Sequence, residues 1–231
     1  MFNRWYSTAR ECIALRKHVL RVDLRVYIDR VENFTNQNDL DSSIKSILTA
    51  AIVKGLDVIG VVNNYGPQAG WRAQQLCREQ NLDLHVVPGQ EYTCTDKAHI
   101  IAFNIKDSLP PNLSLSQACE IAHKNNGLVM IANVGKRQAQ EINKLAKGTS
   151  IPDAVEIYCA KSGGFQDIDV DFHRFITSGA ASGTDLEKIN AFTMIGRKDI
   201  EAMGLLPTGQ GVEYTPEYLR RDDANQQGVN K

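Results

Sequence analysis

Ala51-Ile-Val-Lys-Gly-Leu-Asp-Val-Ile-Gly-Val-Val-Asn-Asn64 decides how the rest of the chain is read. Its first half closes a helix. Ile44, Ile47, Leu48 and Ile52 recur at helical spacing, Asp39 or Asp41 is placed to cap the start, and Lys54-Gly55 marks the stop. Its second half, Asp57 to Val62, is a short continuous apolar run, the pattern of a strand covered on both faces. One helix thus feeds one buried strand, and the same unit recurs on either side.

Upstream, His18-Val-Leu-Arg-Val-Asp-Leu-Arg-Val-Tyr-Ile28 alternates β-branched and polar residues and predicts a strand, preceded by a helix over residues 4–17. Downstream, residues 68–80 predict a helix and residues 82–87 a strand. Residues 98–103 predict a further strand. A helix follows over residues 114–125, with Ser114 as its cap and Gly127 as its closure. Residues 128–132 and 154–158 read as strands around a helix over residues 136–146. A last strand near residues 177–181 precedes a helix over residues 186–192. About seven short apolar strands alternating with helices predict a parallel sheet sheathed in helices, hence an α/β fold and a closed (β/α)7 barrel.

Length and composition agree with a single domain. The chain has 231 residues, 42% hydrophobic and 23% charged. A net charge of −1 gives no global attraction to nucleic acid or to an anionic membrane. No apolar run is long enough to span a bilayer. Five cysteines without a Cys-x-x-Cys pair fit neither a disulfide framework nor a zinc knuckle, and point to a cytoplasmic, reducing compartment. Arg4, Arg10, Arg16, Lys17 and Arg21 against the single acid Glu11 also fit a mitochondrial presequence, the alternative localisation. Residues 1–18 read as a helical extension, residues 19–206 as the folded domain, and residues 207–231 as a polar tail, partly disordered or docked on a partner.

In α/β barrels the reactive groups lie at the carboxyl ends of strands. Those ends carry Arg25 and Tyr27, Asn63 and Asn64, Glu91, Asn133, and Asp185 with Glu187, while His99 opens a strand. In order and spacing these pieces resemble the PHP (polymerase and histidinol phosphatase) family. Asp23-Leu-Arg-Val-Tyr27 is similar to its opening Asp-Leu-His-x-His, and the quoted stretch ending in Asn63-Asn64 to its Thr-Asp-His segment. Val87-Pro-Gly-Gln-Glu91 resembles its Pro-Gly-x-Glu, and His99-Ile-Ile-Ala-Phe103 its strand-opening histidine. Gly127 to Asn133, Asp153 to Tyr158 and Ser182-Gly-Thr-Asp-Leu-Glu187 are similar to the later segments, so the resemblance covers roughly residues 19–197.

The resemblance implies a distorted seven-stranded barrel and a phosphoesterase holding up to three divalent ions, which activate water and neutralise phosphate. Six of the expected ligands are replaced here, by Arg25, Tyr27, Asn63, Asn64, Asn133 and Glu187. Asparagine brings no negative charge, and arginine stays protonated and cannot ligate. Glu91, His99 and Asp185 keep the family's identity and, with Glu187, leave residual ligands for at most one weak divalent ion (Mn, Zn or Mg).

Three functions follow as expectations. The first is a protein that has lost hydrolysis and binds a protein partner or a phosphorylated small ligand through Arg25, Tyr27, Asn63, Asn64 and Asn133. The second is a phosphoesterase with a reduced, single-metal site. The third is an RNA-binding barrel subunit of a ribonucleoprotein, which the near-neutral charge disfavours. Arg25 is expected to salt-bridge Glu91 or Asp185, supplying the positive charge that the missing ions would otherwise bring.

Overall fold

The computed structural model describes residues 19–28, 37–132, 152–159, 164–165, 176–180 and 193–196, with positions 201 and 205. The helices expected over residues 4–17, 136–146 and 186–192, the amino-terminal extension and the polar tail lie outside the described residues, as do Asn133, Asp185 and Glu187.

The described elements run β1 (Val19–Tyr27), α1 (Gln37–Val53), β2 (Val58–Asn63), α2 (Gln68–Glu79), β3 (His85–Thr93), β4 (His99–Phe103), α3 (Leu115–Lys124), β5 (Leu128–Ala132) and β6 (Ala154–Cys159). Three short strands follow: β7 (Gly164–Phe165), β8 (Ile176–Ala180) and β9 (Thr193–Gly196). All belong to one sheet, in the order β7-β6-β5-β4-β3-β2-β1-β9, with β8 also paired to β6.

The closed, parallel (β/α)7 barrel expected from the sequence is not what forms. The sheet is mixed, with β1 to β6 bent into a half-barrel, and three helices are present among the described residues. β4 runs antiparallel to both β3 and β5. The physical reason is the link from Cys94 to Ala98, which is too short for the dozen or more residues of a parallel crossover. Among the described residues, no hydrogen-bonded ladder joins β8 to β1 or β9.

The three described helices form where the sequence places them. α1 buries Ile44, Ile47, Leu48 and Ala51, one stripe at helical spacing. Ile52, expected on that stripe, is 39% exposed, and Ala51 takes its place. Asp39 lies inside the first turn rather than before it, where its charge still complements the helix dipole. Gly55, at φ 68°, ends the helix: its N–H donates to Ile52 and that of Leu56 to Ala51. α3 opens with a capping box in which Ser114 and Gln117 satisfy each other's backbone N–H. Its left-handed terminal residue is Asn126, at φ 56°, not Gly127. Gly127 is needed for a different reason, since a Cβ there would stand 2.7 Å from the Phe103 carbonyl oxygen.

Two apolar layers hold the helices to the outer face of the sheet. One joins α1 and α2 to β1–β3 through Val26, Ile59, Val61 and Val86, and the other joins α3 to β4–β6 through Ile100, Ala102 and Val155. A third lies on the inner face, where Leu20, Val22, Leu24, Val58, Val62, Val87, Ile101, Phe103 and Met130 meet Leu205.

Candidate functional site

Strand alternation gives β1 its inner and outer faces, and an irregularity re-aims them. Asp23 pairs with Ile59 and Val26 with Val61, so three steps on β1 oppose two on β2. This is a β-bulge. Before it Leu20, Val22 and Leu24 line the inner core; after it Val26 and Ile28 pack outward. Arg25 and Tyr27 are thereby turned to the inner face at the rim. The bulge needs Gly60 opposite, because a Cβ there would lie 2.3 Å from the Leu24 carbonyl oxygen.

Arg25 meets two carboxylates on that face. Its Nη2 donates to Glu91 Oε1 at 2.7 Å, and its Nη1 donates to both oxygens of Glu156, at 3.1 and 2.9 Å. In a flat sheet β1 and β6 would lie about 24 Å apart, five strand spacings. The Arg25–Glu156 bond therefore measures the curl of the half-barrel, and the inner face is concave. The side chains of Arg25, Glu91 and Glu156 are 11%, 12% and 0% exposed. Burial would lower the arginine's pKa, but Glu156 and then Glu91 outweigh it and raise it further. The guanidinium is a fixed charge at any physiological pH.

Tyr27 lies beside this group. Burial, with the Glu91 charge adding to it, pushes its phenol up to about 12, so it stays protonated. His99 reaches the same rim because β4 runs antiparallel: it pairs with Thr93, where β3 ends. Its Nδ1 is 3.2 Å from Thr93 Oγ1. Asn63 is buried, and both ends of its amide are engaged by backbone: Nδ2 donates to the Ile28 carbonyl at 3.1 Å, and Oδ1 accepts from Tyr65 N–H at 2.8 Å. Asn64 is exposed at the start of the following turn, its carbonyl accepting from Gln90 Nε2 at 3.4 Å. The chain thus brings Arg25, Tyr27, Glu91 and His99 to one rim.

Two features were not read from the sequence. Pro88-Gly-Gln-Glu91 lies inside β3, not in a turn after it. Pro-Gly normally signals a turn; here Gly89 is demanded by packing, its Cβ position being 2.9 Å from Val62 Cγ1. The second is Glu156, the fully buried partner of Arg25. Its signal was an acid directly after Ala154-Val155 in an otherwise apolar strand, where an ionised side chain needs a cation.

Cys77, Cys94 and Cys119 are free and buried, and burial raises them to about 11, 12 and 12, so none is a thiolate at neutral pH. Among the described residues, no three His, Cys, Asp or Glu side chains are grouped to hold a metal ion. No helix among them is long and apolar enough to cross a membrane.

No known protein family's profile matches the chain, and no curated protein matches it. Its fold is similar to a solved structure from Bifidobacterium adolescentis described as a "putative metal-dependent phosphoesterase". The TM-score is 0.53 at 12% identity, over 69% of this chain and 89% of that one. The similarity is one of fold.

Proposed function

We propose that this chain is a PHP-like protein that binds a protein partner or a phosphorylated small ligand at the rim, and that it has lost multi-metal phosphoesterase chemistry. The observation that carries the reading is the bonding of Arg25 to both Glu91 and Glu156. A divalent ion on Glu91 would share that carboxylate with the guanidinium, which sits 2.7 Å from Oε1, and would stand against its permanent positive charge. The donor set at Arg25, Tyr27, Asn63 and Asn64 does not fit a metal cluster. In this reading Asn133 belongs to the ligand-binding set, and Asp185 and Glu187 to the residual ligands for one weak ion at most.

The test is metal analysis of the purified full chain, with hydrolysis of a generic phosphoester in added manganese. The reading expects fewer than two ions per chain and no hydrolysis. Stoichiometric binding of two or more ions, with hydrolysis lost in Asp185→Ala, would overturn it. One bound ion with metal-dependent hydrolysis would favour the reduced-site phosphoesterase instead. A salt-dependent RNA shift would favour the ribonucleoprotein reading.

A further inference from the structure

Four asparagines among the described residues take the left-handed conformation: Asn81 at φ 50°, Asn104 at 56°, Asn112 at 63° and Asn126 at 56°. That conformation is costly for most side chains and open to asparagine. Three of the four precede a bulky residue, Leu82, Ile105 or Leu113. Asn126 precedes Gly127, the single Asn-Gly step in the sequence. Such a step is chemically labile. The backbone nitrogen after an asparagine can attack its side-chain carbonyl, and glycine, having no Cβ, hinders that attack least.

The fold asks for both members of this pair. α3 ends in a Schellman closure, in which Asn126 N–H donates to the His123 carbonyl at 2.9 Å and Gly127 N–H to the Ala122 carbonyl at 2.8 Å. Position 127 has no room for a side chain, since a Cβ there would stand 2.7 Å from both the Phe103 carbonyl oxygen and Ile105 Cγ2. Asn126 is exposed and Gly127 buried. The same closure holds the reaction off. Joining Gly127 N to Asn126 Cγ in a five-membered ring turns the Asn126 ψ away from its left-handed value. That breaks the bond to Ala122 and drives Gly127 against Phe103 and Ile105. The turn between α3 and β5 must open before the ring can close.

We propose that Asn126 is a deamidation site controlled by the opening of the α3–β5 turn. In the opened chain the Gly127 nitrogen gives up its proton and bonds to Asn126 Cγ. The Cγ–Nδ2 bond breaks, and ammonia leaves with that proton, giving a cyclic imide. Water then adds to either imide carbonyl and opens the ring to aspartate or isoaspartate. One water enters and one ammonia leaves, with no oxidant or reductant. Isoaspartate lengthens the backbone between α3 and β5 by one methylene, and β5 pairs with both β4 and β6. Either product sets a carboxylate at the carboxyl end of α3, where the helix dipole disfavours it. Each opening thus exposes the chain to a change that refolding does not undo. The inference is independent of what binds at the rim.

Incubating the full chain at mildly alkaline pH, folded in one arm and unfolded in guanidinium chloride in the other, tests it. Peptide mapping by mass spectrometry reads the conversion of amide to acid, and labelling by an isoaspartyl methyltransferase reads the isoaspartate. In the unfolded arm Asn126 should convert ahead of Asn81, Asn104 and Asn112. In the folded arm it should convert at least about tenfold more slowly than in the unfolded one. Asn126→Gly, which accepts the same φ, should remove the mass gain from its peptide. A smaller difference between the two arms would overturn the proposal. So would unfolded-state conversion no faster at Asn126 than at the other three, or a mass gain that persists in Asn126→Gly and so belongs to Asn125.

Discussion

Where β1, β2 and β3 begin, the concave face of the half-barrel is closed by Leu20, Val22, Val58, Ala154 and Leu205. Where they end, the same face holds Arg25, Glu91 and Glu156. Both ends are nearly dry, yet one is filled by shape and the other by charge. Apolar filling tolerates small losses, each roughly proportional to the area or volume removed. A buried ion pair does not, because removing one partner strands the other. The comparison teaches that the charged end is the more constrained one, although ion pairs of this kind add little net stability over an apolar filling.

Four substitutions sharpen that contrast, taken from the largest effect downward. Gly60→Ala forces a Cβ against the Leu24 backbone, which cannot move aside as a side chain can. It should cost upward of about 4 kcal/mol and disturb the bulge that aims Arg25, as read by denaturant unfolding. Arg25→Ala leaves Glu91 and Glu156 facing each other without a cation and should cost about 3 kcal/mol. A loss below about 1 kcal/mol would mean that the carboxylates are hydrated rather than paired. Ser114→Ala removes one half of the capping box on α3 and should cost about 1 kcal/mol, leaving the rim unaffected.

The smallest effect belongs to the apolar end and depends on pH. Burial lowers the pKa of His85, the Leu205 carbonyl bond only partly offsetting it. The folded chain therefore takes up its proton at a lower pH than the unfolded chain does. The stabilisation is fully present above about pH 6.5, where the unfolded histidine is neutral, and declines as the pH falls below it. His85→Gln should flatten the stability profile in that acid window, whereas an unchanged slope would place the titrating group elsewhere.

What could be read from the sequence follows the same division. Helical spacing located α1, and Ser114 as a cap located the start of α3, because those signals are local. Strand direction is not local. Nothing in His99-Ile-Ile-Ala-Phe103 states that it runs against β3; the shortness of the link from Cys94 to Ala98 does, and it was read as one more step of a parallel barrel. The bulge was equally silent, since its mark is a glycine on the neighbouring strand. At the rim, charge balance put Arg25 on Glu91 or Asp185, and the structure shows the Glu91 bond. Glu156 did not, because its closeness to Arg25 exists only once the sheet curls.

The central claim is that Arg25 and the two carboxylates act as one unit. A double-mutant cycle on the full chain measures this directly, with Arg25→Ala, Glu156→Gln and their combination unfolded in denaturant at neutral pH. The account predicts strong non-additivity, the double variant being less destabilised than the two single losses summed, with a coupling of about 1–3 kcal/mol. Additivity within about 0.3 kcal/mol would contradict it, and would leave the rim without the charge network on which the functional reading rests.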